Sequence, residues 1–575
     1  MKTLAIIVCA IGMWASLGRA QQISVPAHTG VQDIPIGEDV YNLLRHLSVR
    51  GIIQGYSEAS LPISEHDVVG FLVQTNGKDL SSSEREQIEK YLRTYTRTPY
   101  DAITVFPAES AEPFFSGSVF SDKDKYLYRW RDTSSHSDIL VNFIGSLEYR
   151  HRMKPTSGSA VLGVIGGRIQ GTLSGHVGYY MQTTNGQSFG DSSIALEDPV
   201  IGKNKNFAVY SNHTFYDFTS AEIVYNTDWF TGKLTRIPIS FGGSYQQDNV
   251  TISPKALLYD AFSIGAHVGA VRYQAVFASL LGDGRFSANP GQNYNAFGAG
   301  AYIDPKFMAL HHVNIALGND FDFGFTDITI FSRRFDAAYL NPFAFLKSVE
   351  QFLNDRDNGL LAAHIRWRIT NGLEFRGQGL MDDIVASKIG TGYWGNKFAW
   401  QAGVMWAAPL GLNDLDLAVE YTRVEPYTYT HFNAQNAFTT SGSNLGAGIG
   451  PNSISWWGMV RWAPTAKLTL IATAAMTARG ENIYNDKGDS LLVNWGADVE
   501  QTIYNQGDAD KKYHILDGRR VNIFVLGGEA KYELYRGFGL FAQVSHRSAD
   551  YPGGAPTNSI QKPYAIATIG AKAVF

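Results

Sequence analysis

The connections between the predicted strands of this chain alternate between short and long, and no other feature constrains the fold as tightly. From about residue 359 onward, short connections separate strands that are otherwise joined by long stretches. The short ones are 371–372, 409–413, 464–466 and 535–537, and the long ones are about 383–396, 425–453, 479–520 and 548–562. Transmembrane barrels have short periplasmic turns and long extracellular loops, whereas soluble β-sandwiches have no reason to segregate loop lengths. The pattern therefore predicts a transmembrane antiparallel β-barrel.

Residues within these strands alternate between apolar and polar. From Ala363 to Ile369 every second residue is apolar, and the residues between them are charged or polar. A period of two places the apolar set on lipid and the polar set in the lumen. Nine strands fit between residue 359 and the carboxy-terminus. About ten less regular strands fit between residues 139 and 333. Because bacterial single-chain barrels have even strand counts, we expect about eighteen strands in the whole barrel.

The first twenty residues have the features of a cleavable export signal. Lys2 gives a positive start, and the stretch 4–17 is mostly apolar. Gly18 and Ala20 place small residues three and one positions before Gln21, which is typical of a signal peptidase site. The only cysteine, Cys9, lies inside this signal. The mature chain is therefore predicted to have no disulfide and no cysteine metal site.

The composition agrees with an exported barrel and excludes other classes. Aromatic residues make up 13% of the chain, and 58 of its 575 residues are glycine. After the signal there is no run of about 18 apolar residues, which argues against helical membrane spans. The net charge of −5 gives no indication of nucleic-acid binding.

A small helical domain is predicted ahead of the barrel. Val40, Leu43, Leu44 and Leu47 have helical spacing. Ser64 with Asp67 resembles a capping box ahead of a second helix, and 84–95 predicts a third. The predicted organisation is a signal peptide at 1–20, a periplasmic helical domain at 21–98, a linker at 99–135 and an outer-membrane barrel at 136–575.

The chain ends in a strand that closes on an aromatic residue. Ala565, Ala567, Ile569, Ala571, Ala573 and Phe575 lie on one face of this strand. An aromatic carboxy-terminus resembles the signal read by the outer-membrane insertion machinery, which we expect to be a partner during biogenesis. The last strand should run towards the periplasm, so we expect the carboxy-terminus and the helical domain to be periplasmic in a Gram-negative-type cell.

Two stretches, 50–64 and 339–383, resemble the capsule-assembly Wzi family. The first is Arg50-Gly51-Ile52-Ile53-Gln54-Gly55, followed by Leu61-Pro62-Ile63-Ser64. The second runs from Tyr339-Leu340-Asn341-Pro342-Phe343 through Glu350 to Asp355-Arg356-Asp357-Asn358-Gly359, and a strand pair then ends in Gly379-Leu380-Met381-Asp382-Asp383. The resemblance implies an eighteen-stranded outer-membrane barrel with a periplasmic helical bundle. It also implies a lectin-like role in binding exported polysaccharide and in attaching capsule to the surface.

The first stretch is also similar to an S-layer homology module, which would imply binding to peptidoglycan or a wall polymer. Only one copy is present, and Tyr56-Ser57-Glu58 replaces the aromatic-Asp-Gly turn of such modules. This interpretation remains an alternative for the helical domain alone.

The segment from Tyr339 to Asn358 is the first candidate polysaccharide-binding region. Its apolar residues Phe345, Leu346, Val349, Phe352 and Leu353 are spaced as one face of a short helix. We expect this helix either to fold inward and narrow the barrel or to pack on the rim. Clustered arginines, carboxylates and amides suit sugar hydroxyls and uronate groups. The candidates are Arg334, Asp336, Asn341, Glu350, Asp355, Arg356, Asp357 and Asn358, and the alternative is a salt-bridge network that pins the loop.

Two further groups complete the candidate binding residues. Tyr427 and Tyr429 lie in the long loop at 425–453, where exposed aromatic rings can stack on sugars, unless they belong to the aromatic girdle of the membrane interface. Arg366, Arg368, Glu374 and Arg376 are predicted to face the lumen on adjacent strands. They would form either a polar track for an anionic sugar or a paired barrel interior.

No catalytic, metal or cofactor site is predicted. His311 and His312 have no carboxylate at ligand spacing, and the sequence contains no phosphate-binding loop, dinucleotide fingerprint or nucleophile elbow. The predicted partners are outer-membrane lipid and exported or surface polysaccharide, in a protein that is not an enzyme. A porin or solute channel is the main alternative, and a lipid-modifying barrel enzyme is a third.

Overall fold

The computed structural model describes residues 29–97, 102–106, 120–198, 201, 208–210, 213–283, 303–485, 487–488, 490–502, 511–552 and 563–575. The predicted signal peptide at 1–20 and much of the predicted linker at 99–135 lie outside these residues. Within the described part of the chain, every helix is too short or too polar to cross a bilayer.

Eighteen antiparallel strands form a closed barrel, which confirms the predicted fold class and strand count. Each strand pairs with its neighbours along the chain, and the last strand pairs with the first, Val574 lying opposite Ile144. The strands are β1 Ser137–Lys154, β2 Gly158–Leu173, β3 Val177–Gly190, β4 His213–Asn226, β5 Phe230–Arg236, β6 Asp260–Val268, β7 Val271–Leu280, β8 Lys306–Leu317, β9 Phe321–Ser332, β10 Asn358–Thr370, β11 Leu373–Asp383, β12 Lys397–Ala407, β13 Leu415–Val424, β14 Ser453–Thr465, β15 Leu468–Glu481, β16 Arg519–Tyr535, β17 Phe538–Asp550 and β18 Tyr564–Val574.

The two ends of the barrel differ in the length of their connections. The short-turn end carries the tight connections, such as 269–270 and 371–372, together with the carboxy-terminus. The long-loop end carries the long connections, with one exception at 155–157, where three residues join the first two strands. The turn at Asn371-Gly372 is as expected, and Gly372 has a φ of 94°, which an L side chain rarely adopts.

Successive residues of each strand alternate between the lumen and the outside of the barrel. The outward positions expose large apolar side chains, such as Leu147 at 60%, Ile165 at 64% and Phe325 at 57%. A continuous apolar exterior of this kind is what a bilayer requires of a barrel. The inward positions are mostly polar or buried beneath other segments of the chain.

Three helices precede the barrel: α1 Val40–Val49, α2 Glu65–Leu72 and α3 Ser82–Tyr95. Apolar residues at helical spacing pack them together, including Val40, Leu44 and Leu47, which are fully buried. The predicted capping box at Ser64 and Asp67 is present, and Ser81 forms a second one with Glu84. Each box satisfies backbone N–H groups that the first helical turn leaves without a partner.

The helical domain is docked at the short-turn end and extends into the lumen. The backbone N–H of Gly372, in a barrel turn, donates to the carbonyl of Val49 at the end of α1. Further along the chain, the short strand Ser60–Leu61 pairs with Ser240–Phe241, a segment that enters the barrel from the opposite end. The two ends of the barrel are therefore connected through its interior by a two-stranded sheet.

Several long connections also fold over or into the barrel. The connection between β5 and β6 and the connection between β13 and β14 are largely buried. Two short helices, α4 Ser192–Leu196 and α5 Leu346–Phe352, lie in other connections. The remaining short strands are Ile103–Thr104, Lys125–Tyr126, Tyr128–Asp132, Ala208–Tyr210, Thr439–Thr440, Ser443–Asn444, Ile483–Tyr484 and Leu491–Val493. The 3₁₀ turns are Val73–Thr75, Ala337–Leu340, Ala386–Lys388, Pro409–Gly411 and Ala434–Asn436.

Candidate functional site in the barrel lumen

The lumen has two contrasting sides. On the side formed by β9 to β13, called the filled side below, the inward residues are covered by the helical domain and by the inward-folded connections. On the side formed by β16 to β18 and β1 to β3, called the open side, many inward residues remain partly exposed. A ligand that enters the lumen meets free polar side chains mainly on the open side.

The predicted lumen track lies on the filled side, where the structure brings its four residues together. The guanidinium of Arg366 pairs with Asp322 and, at 3.2 Å, with Glu374. Arg376 pairs with Glu374 at 2.7 Å. Arg368 pairs with Asp320 and donates to the carbonyl of Ser48 at 2.8 Å. These charges form a paired barrel interior, which was the predicted alternative to a polar track for a sugar. Their proposed role in binding a sugar stays a prediction.

The helical domain supplies a further carboxylate to this network. Glu58 accepts from Arg376 at 2.6 Å and from Arg45 at 2.9 Å, and all three side chains are at least 95% buried. Burial raises the pKa of a carboxylate, but the two guanidinium groups outweigh that effect and hold the pKa of Glu58 at about 2. Glu58 is therefore ionised at neutral pH and binds the domain to the wall through charge-assisted hydrogen bonds.

Tyr245, on the inward-folded connection, covers the same network from the long-loop end. Its ring lies 4.5 Å from the guanidinium of Arg376, and its hydroxyl donates to the carbonyl of Glu374 at 3.0 Å. The neighbouring Ser244 hydroxyl donates to Glu420 at 2.7 Å. The filled side is thus fixed by contacts from both ends of the barrel.

A second buried contact joins α1 to the barrel through His46. Its Nδ1 lies 2.6 Å from Asp416, at the start of β13, and its Nε2 lies 3.1 Å from Glu84 of α3. Burial disfavours the charged imidazole, but the two carboxylates outweigh it and raise the pKa of His46 to about 9. At neutral pH this histidine is positively charged and both of its ring nitrogens donate.

The predicted short helix at Phe345–Leu353 exists as α5. Of the two positions expected for it, the structure has the one packed at the rim, on the outer wall, and not the inward one that would narrow the lumen. Leu346 packs with Ala309, Phe331 and Tyr339, and the strand residues of this cluster point outward from the barrel. The backbone N–H of Leu346 donates to Asp327, another outward residue, at 2.6 Å. The outer wall offers this apolar helix face a matching apolar surface, whereas the facing lumen is already filled.

The charged candidates of this loop mostly fix it to the rim. Asp357 is buried and accepts from Arg334 at 2.8 Å and from the Tyr339 hydroxyl at 2.8 Å. Asn358 donates to the carbonyl of Asn436 at 3.0 Å, and Glu350 pairs with Lys347 at 2.7 Å. The candidates that present exposed or partly exposed side chains are Arg334, Asp336, Asn341, Asp355 and Arg356. Binding of a polysaccharide by this loop stays a prediction.

Tyr427 and Tyr429 lie in a different environment from the one expected of them. Both side chains are fully buried, so the predicted exposure to a sugar is wrong. The Tyr429 ring stacks on Phe438 at 5.4 Å, and its hydroxyl donates to the carbonyl of Val250 at 2.8 Å. Tyr427 packs instead against Trp394 and Tyr513, and its hydroxyl donates to the carbonyl of Asn494 at 3.1 Å. The long loop that both tyrosines occupy is therefore packed rather than free.

The open side carries a set of polar residues, called the open-side polar group below, that were not among the residues predicted from the sequence. Arg168 donates to Gln182 at 2.8 Å, and Gln543 donates to Glu529 at 2.7 Å. The whole open-side polar group consists of Arg168, Gln182, Glu529, Gln543, Arg547 and Lys572, all partly or fully exposed. The alternation that predicted the later strands also runs through 146–152, where Ser146, Glu148, Arg150 and Arg152 alternate with Leu147, Tyr149 and His151.

Helix α4 covers the open side where it approaches the long-loop end. Arg152 pairs with Asp191 at 2.7 Å and with Glu197 at 2.6 Å, and Arg150 pairs with Asp198 at 2.9 Å. The apolar residues of this connection pack on inward Ala160 and Leu162. Arg168, Glu529 and Lys572 of the open-side polar group therefore lie deeper along their strands than these paired residues, whereas Arg547 lies close to them near the mouth.

Comparison with known proteins finds similarity in structure and none in sequence. No family model and no curated protein matches the chain. Among solved structures it is similar to Wzi of Escherichia coli, with 13% identity and a TM-score of 0.56 over 94% of this chain and 98% of that one. Wzi is described as a carbohydrate-binding β-barrel of the outer membrane that is involved in group 1 capsule assembly. The predicted resemblance is thus confirmed at the level of the fold.

Two further outer-membrane structures match less well. OccAB2 of Acinetobacter baumannii is 11% identical with a TM-score of 0.44, over 76% of this chain and 98% of that one. OprD of Pseudomonas aeruginosa is 8% identical with a TM-score of 0.41, over 76% of this chain and 93% of that one.

Proposed function

We propose that this chain is a non-enzymatic outer-membrane protein that binds a surface or exported polysaccharide and acts in capsule or exopolysaccharide assembly or attachment. One observation carries the proposal. One side of the lumen is filled by the chain's own helical domain and loops, and the opposite wall keeps exposed arginine, lysine and amide groups. An interior of this kind is better suited to holding a polar chain than to free diffusion.

The open-side polar group has the chemistry that an acidic polysaccharide requires. A guanidinium binds a carboxylate in bidentate fashion, as Arg168 and Arg547 would bind a uronate. Gln182 and Gln543 each have both donor and acceptor atoms, which match the donor and acceptor character of sugar hydroxyls. Glu529 would accept from further hydroxyls.

The fold supports the same proposal. Wzi, which has the same barrel architecture, is described as carbohydrate-binding and as involved in capsule assembly. By analogy, the proposal places the helical domain and the carboxy-terminus in the periplasm and the long loops at the cell surface. It includes export by the predicted signal peptide and insertion by the outer-membrane machinery.

A porin or solute channel is the second candidate, and the water-exposed charges of the open side favour it. A continuous polar wall is what a conducting lumen needs. The filled side opposes it, because the domain that covers that wall is fixed by buried ion pairs.

Binding and conductance measured on the same preparation distinguish the two functions. The purified, detergent-folded protein is titrated with polysaccharide extracted from the surface of the cells that make it, with uncharged dextran as the comparison. A double variant, Arg168→Ala with Arg547→Ala, removes two cations of the open side. Arg85→Ala, an exposed position on α3, is the matched control.

Saturable binding that the double variant weakens and Arg85→Ala preserves, with little conductance in a planar bilayer, is the expected result. Steady conductance without polysaccharide binding would contradict the proposal and identify a channel. Release of fatty acid or acyl transfer from added phospholipid would instead indicate a lipid-modifying enzyme.

A further inference from the structure

A cavity of about 610 Å³ lies on the outside of the barrel, between the wall and the connection 333–357. Its floor is made of outward residues of neighbouring strands, among them Tyr273, Val313 and Phe325. Its cover is the segment Pro342–Phe345. The cavity therefore opens towards the lipid that surrounds the barrel and is separate from the lumen.

The connection 333–357 presents apolar side chains away from the protein. Phe343 is 92% exposed, and Phe352 is 86% exposed. Burying a phenylalanine side chain away from water is favourable by about 1.5–3 kcal/mol, so a loop standing in water would not display two of them. A loop that lies along the outer wall instead places these rings in the bilayer, beside the exposed Phe325 of the same wall.

The outward polar side chains at the floor of this mostly apolar cavity are Tyr273, His311 and Asp327, and the Tyr273 hydroxyl donates to the carbonyl of Pro342 in the cover. His311 and Asp327 are direct cross-strand partners on the outward face. Asp327 is 8% exposed, and its Oδ1 atom is buried without a hydrogen-bond partner among the described residues. The apolar tail of an ordinary phospholipid has no donor to offer there, whereas a hydroxylated acyl chain does.

The position of Asp327 along β9 matches the reach of a lipid chain from the rim. Asp327 lies six residues from Arg333, which follows β9 directly at the long-loop end, a separation of about 20 Å along the strand. One leaflet of hydrocarbon is about 15 Å thick. Arg333 and Arg356 stand at the rim of the same strands, where anionic phosphates would lie, and each side chain is 48% exposed. Arg333 also pairs with Asp304 at 3.1 Å, and Arg356 lies 3.9 Å from Asp336, so a phosphate would share these cations with carboxylates.

We propose that this cavity binds an acyl chain of lipid A, the phosphorylated and hydroxyacylated lipid of the outer leaflet. The proposal rests on the orientation given under the proposed function, with the long loops at the cell surface, and it does not involve the polysaccharide site. The chain lies under Pro342–Phe345, its hydroxyl donates to Asp327, and the phosphates lie among the arginines of the rim.

Native mass spectrometry of the full-length folded protein in mild detergent tests the proposal, with purified lipid A and phosphatidylethanolamine as separate probes. Ala344→Phe places a ring in the cavity, because Ala344 is a partly buried residue of its lining. Ala338→Phe is the matched control, on an exposed position of the same connection. The gel mobility of the unheated and heated protein verifies that each variant forms a barrel.

We expect one lipid A to bind per chain and Ala344→Phe to weaken binding by about tenfold, since excluding two methylene groups has that effect. Ala338→Phe should bind as the wild type does. Equal binding by Ala344→Phe and the wild type, or a preference for phosphatidylethanolamine, would overturn the assignment. Because polysaccharide binding by Ala344→Phe is measured separately, failure here is distinguishable from failure of the proposed function.

Discussion

The two sides of the lumen are built from the same kind of strand and differ in what covers them. On the filled side, Arg366, Arg376 and Glu374 are at least 95% buried and each pairs with a partner. On the open side, Arg168 and Glu529 keep contact with the lumen. Alternation alone therefore determines which residues face inward, whereas the rest of the chain determines whether these residues remain available to a ligand.

The largest difference is expected for the same substitution made on both sides. Glu374→Gln removes the charge that pairs with two buried arginines, so it should destabilise the docked state by about 3–5 kcal/mol. Glu529→Gln changes a partly exposed carboxylate and should change stability by less than about 0.5 kcal/mol. Denaturant unfolding monitored by tryptophan fluorescence and trypsin cleavage of the helical domain measures both. Similar shifts for the two variants would contradict the division into two sides.

The filled side should also depend on pH through His46. Because its folded pKa of about 9 lies above the ordinary 6.5, the stabilisation is complete below pH 6.5 and is lost as pH rises through 9. The full effect is about 3 kcal/mol. We expect trypsin to release the helical domain faster at pH 9.5 than at pH 6. The variant His46→Gln should lose this dependence, and an unchanged pH profile in that variant would remove His46 as the cause.

On the open side, a substitution should change ligand binding rather than stability. Arg168→Ala is expected to weaken binding of the acidic surface polysaccharide by about tenfold, since a charge-assisted hydrogen bond contributes about 1.5 kcal/mol. Arg168→Lys keeps the charge but loses the bidentate geometry, so its loss should be intermediate. Isothermal titration measures both variants. A loss of stability in Arg168→Ala comparable to that of Glu374→Gln would show that the open side is structural as well.

The smallest difference concerns single hydroxyl groups. Tyr245→Phe keeps the ring against Arg376 but removes the hydrogen bond to Glu374, and it should cost about 1 kcal/mol. Tyr564→Phe on the open side loses only a 3.4 Å contact with Ser545, so we expect less than about 0.5 kcal/mol. Thermal unfolding of the two variants in the same detergent resolves the difference. A larger loss of stability in Tyr564→Phe than in Tyr245→Phe would contradict this expectation.

Much of the fold could be predicted from the sequence because its determinants are local. Alternation and loop length predicted the barrel, and the spacing of residues such as Val40 and Leu47 predicted the helices. The site could be predicted less well, since burial depends on segments far apart in the chain. Tyr427 and Tyr429 are in a long loop, yet both are buried by other connections that fold inward. The connection 237–259 meets Tyr429, whereas Trp394, Asn494 and Tyr513 of two further long connections contact Tyr427. The outward position of α5 had no local signal, because an apolar helix face fits either side of a barrel wall.

The contacts of the helical domain also have a consequence for the order of assembly. Ser57 contacts a residue 265 positions later in the chain, and His46 contacts one 370 positions later. Under the proposed export, the domain is therefore translocated well before the strands that will receive it. Contacts of such long sequence separation form late. Until the barrel has closed, Glu58 and His46 keep their partners within the domain but lack their partners on the barrel wall. Under the proposed export, periplasmic chaperones would have to hold an unfolded barrel and an undocked domain at the same time.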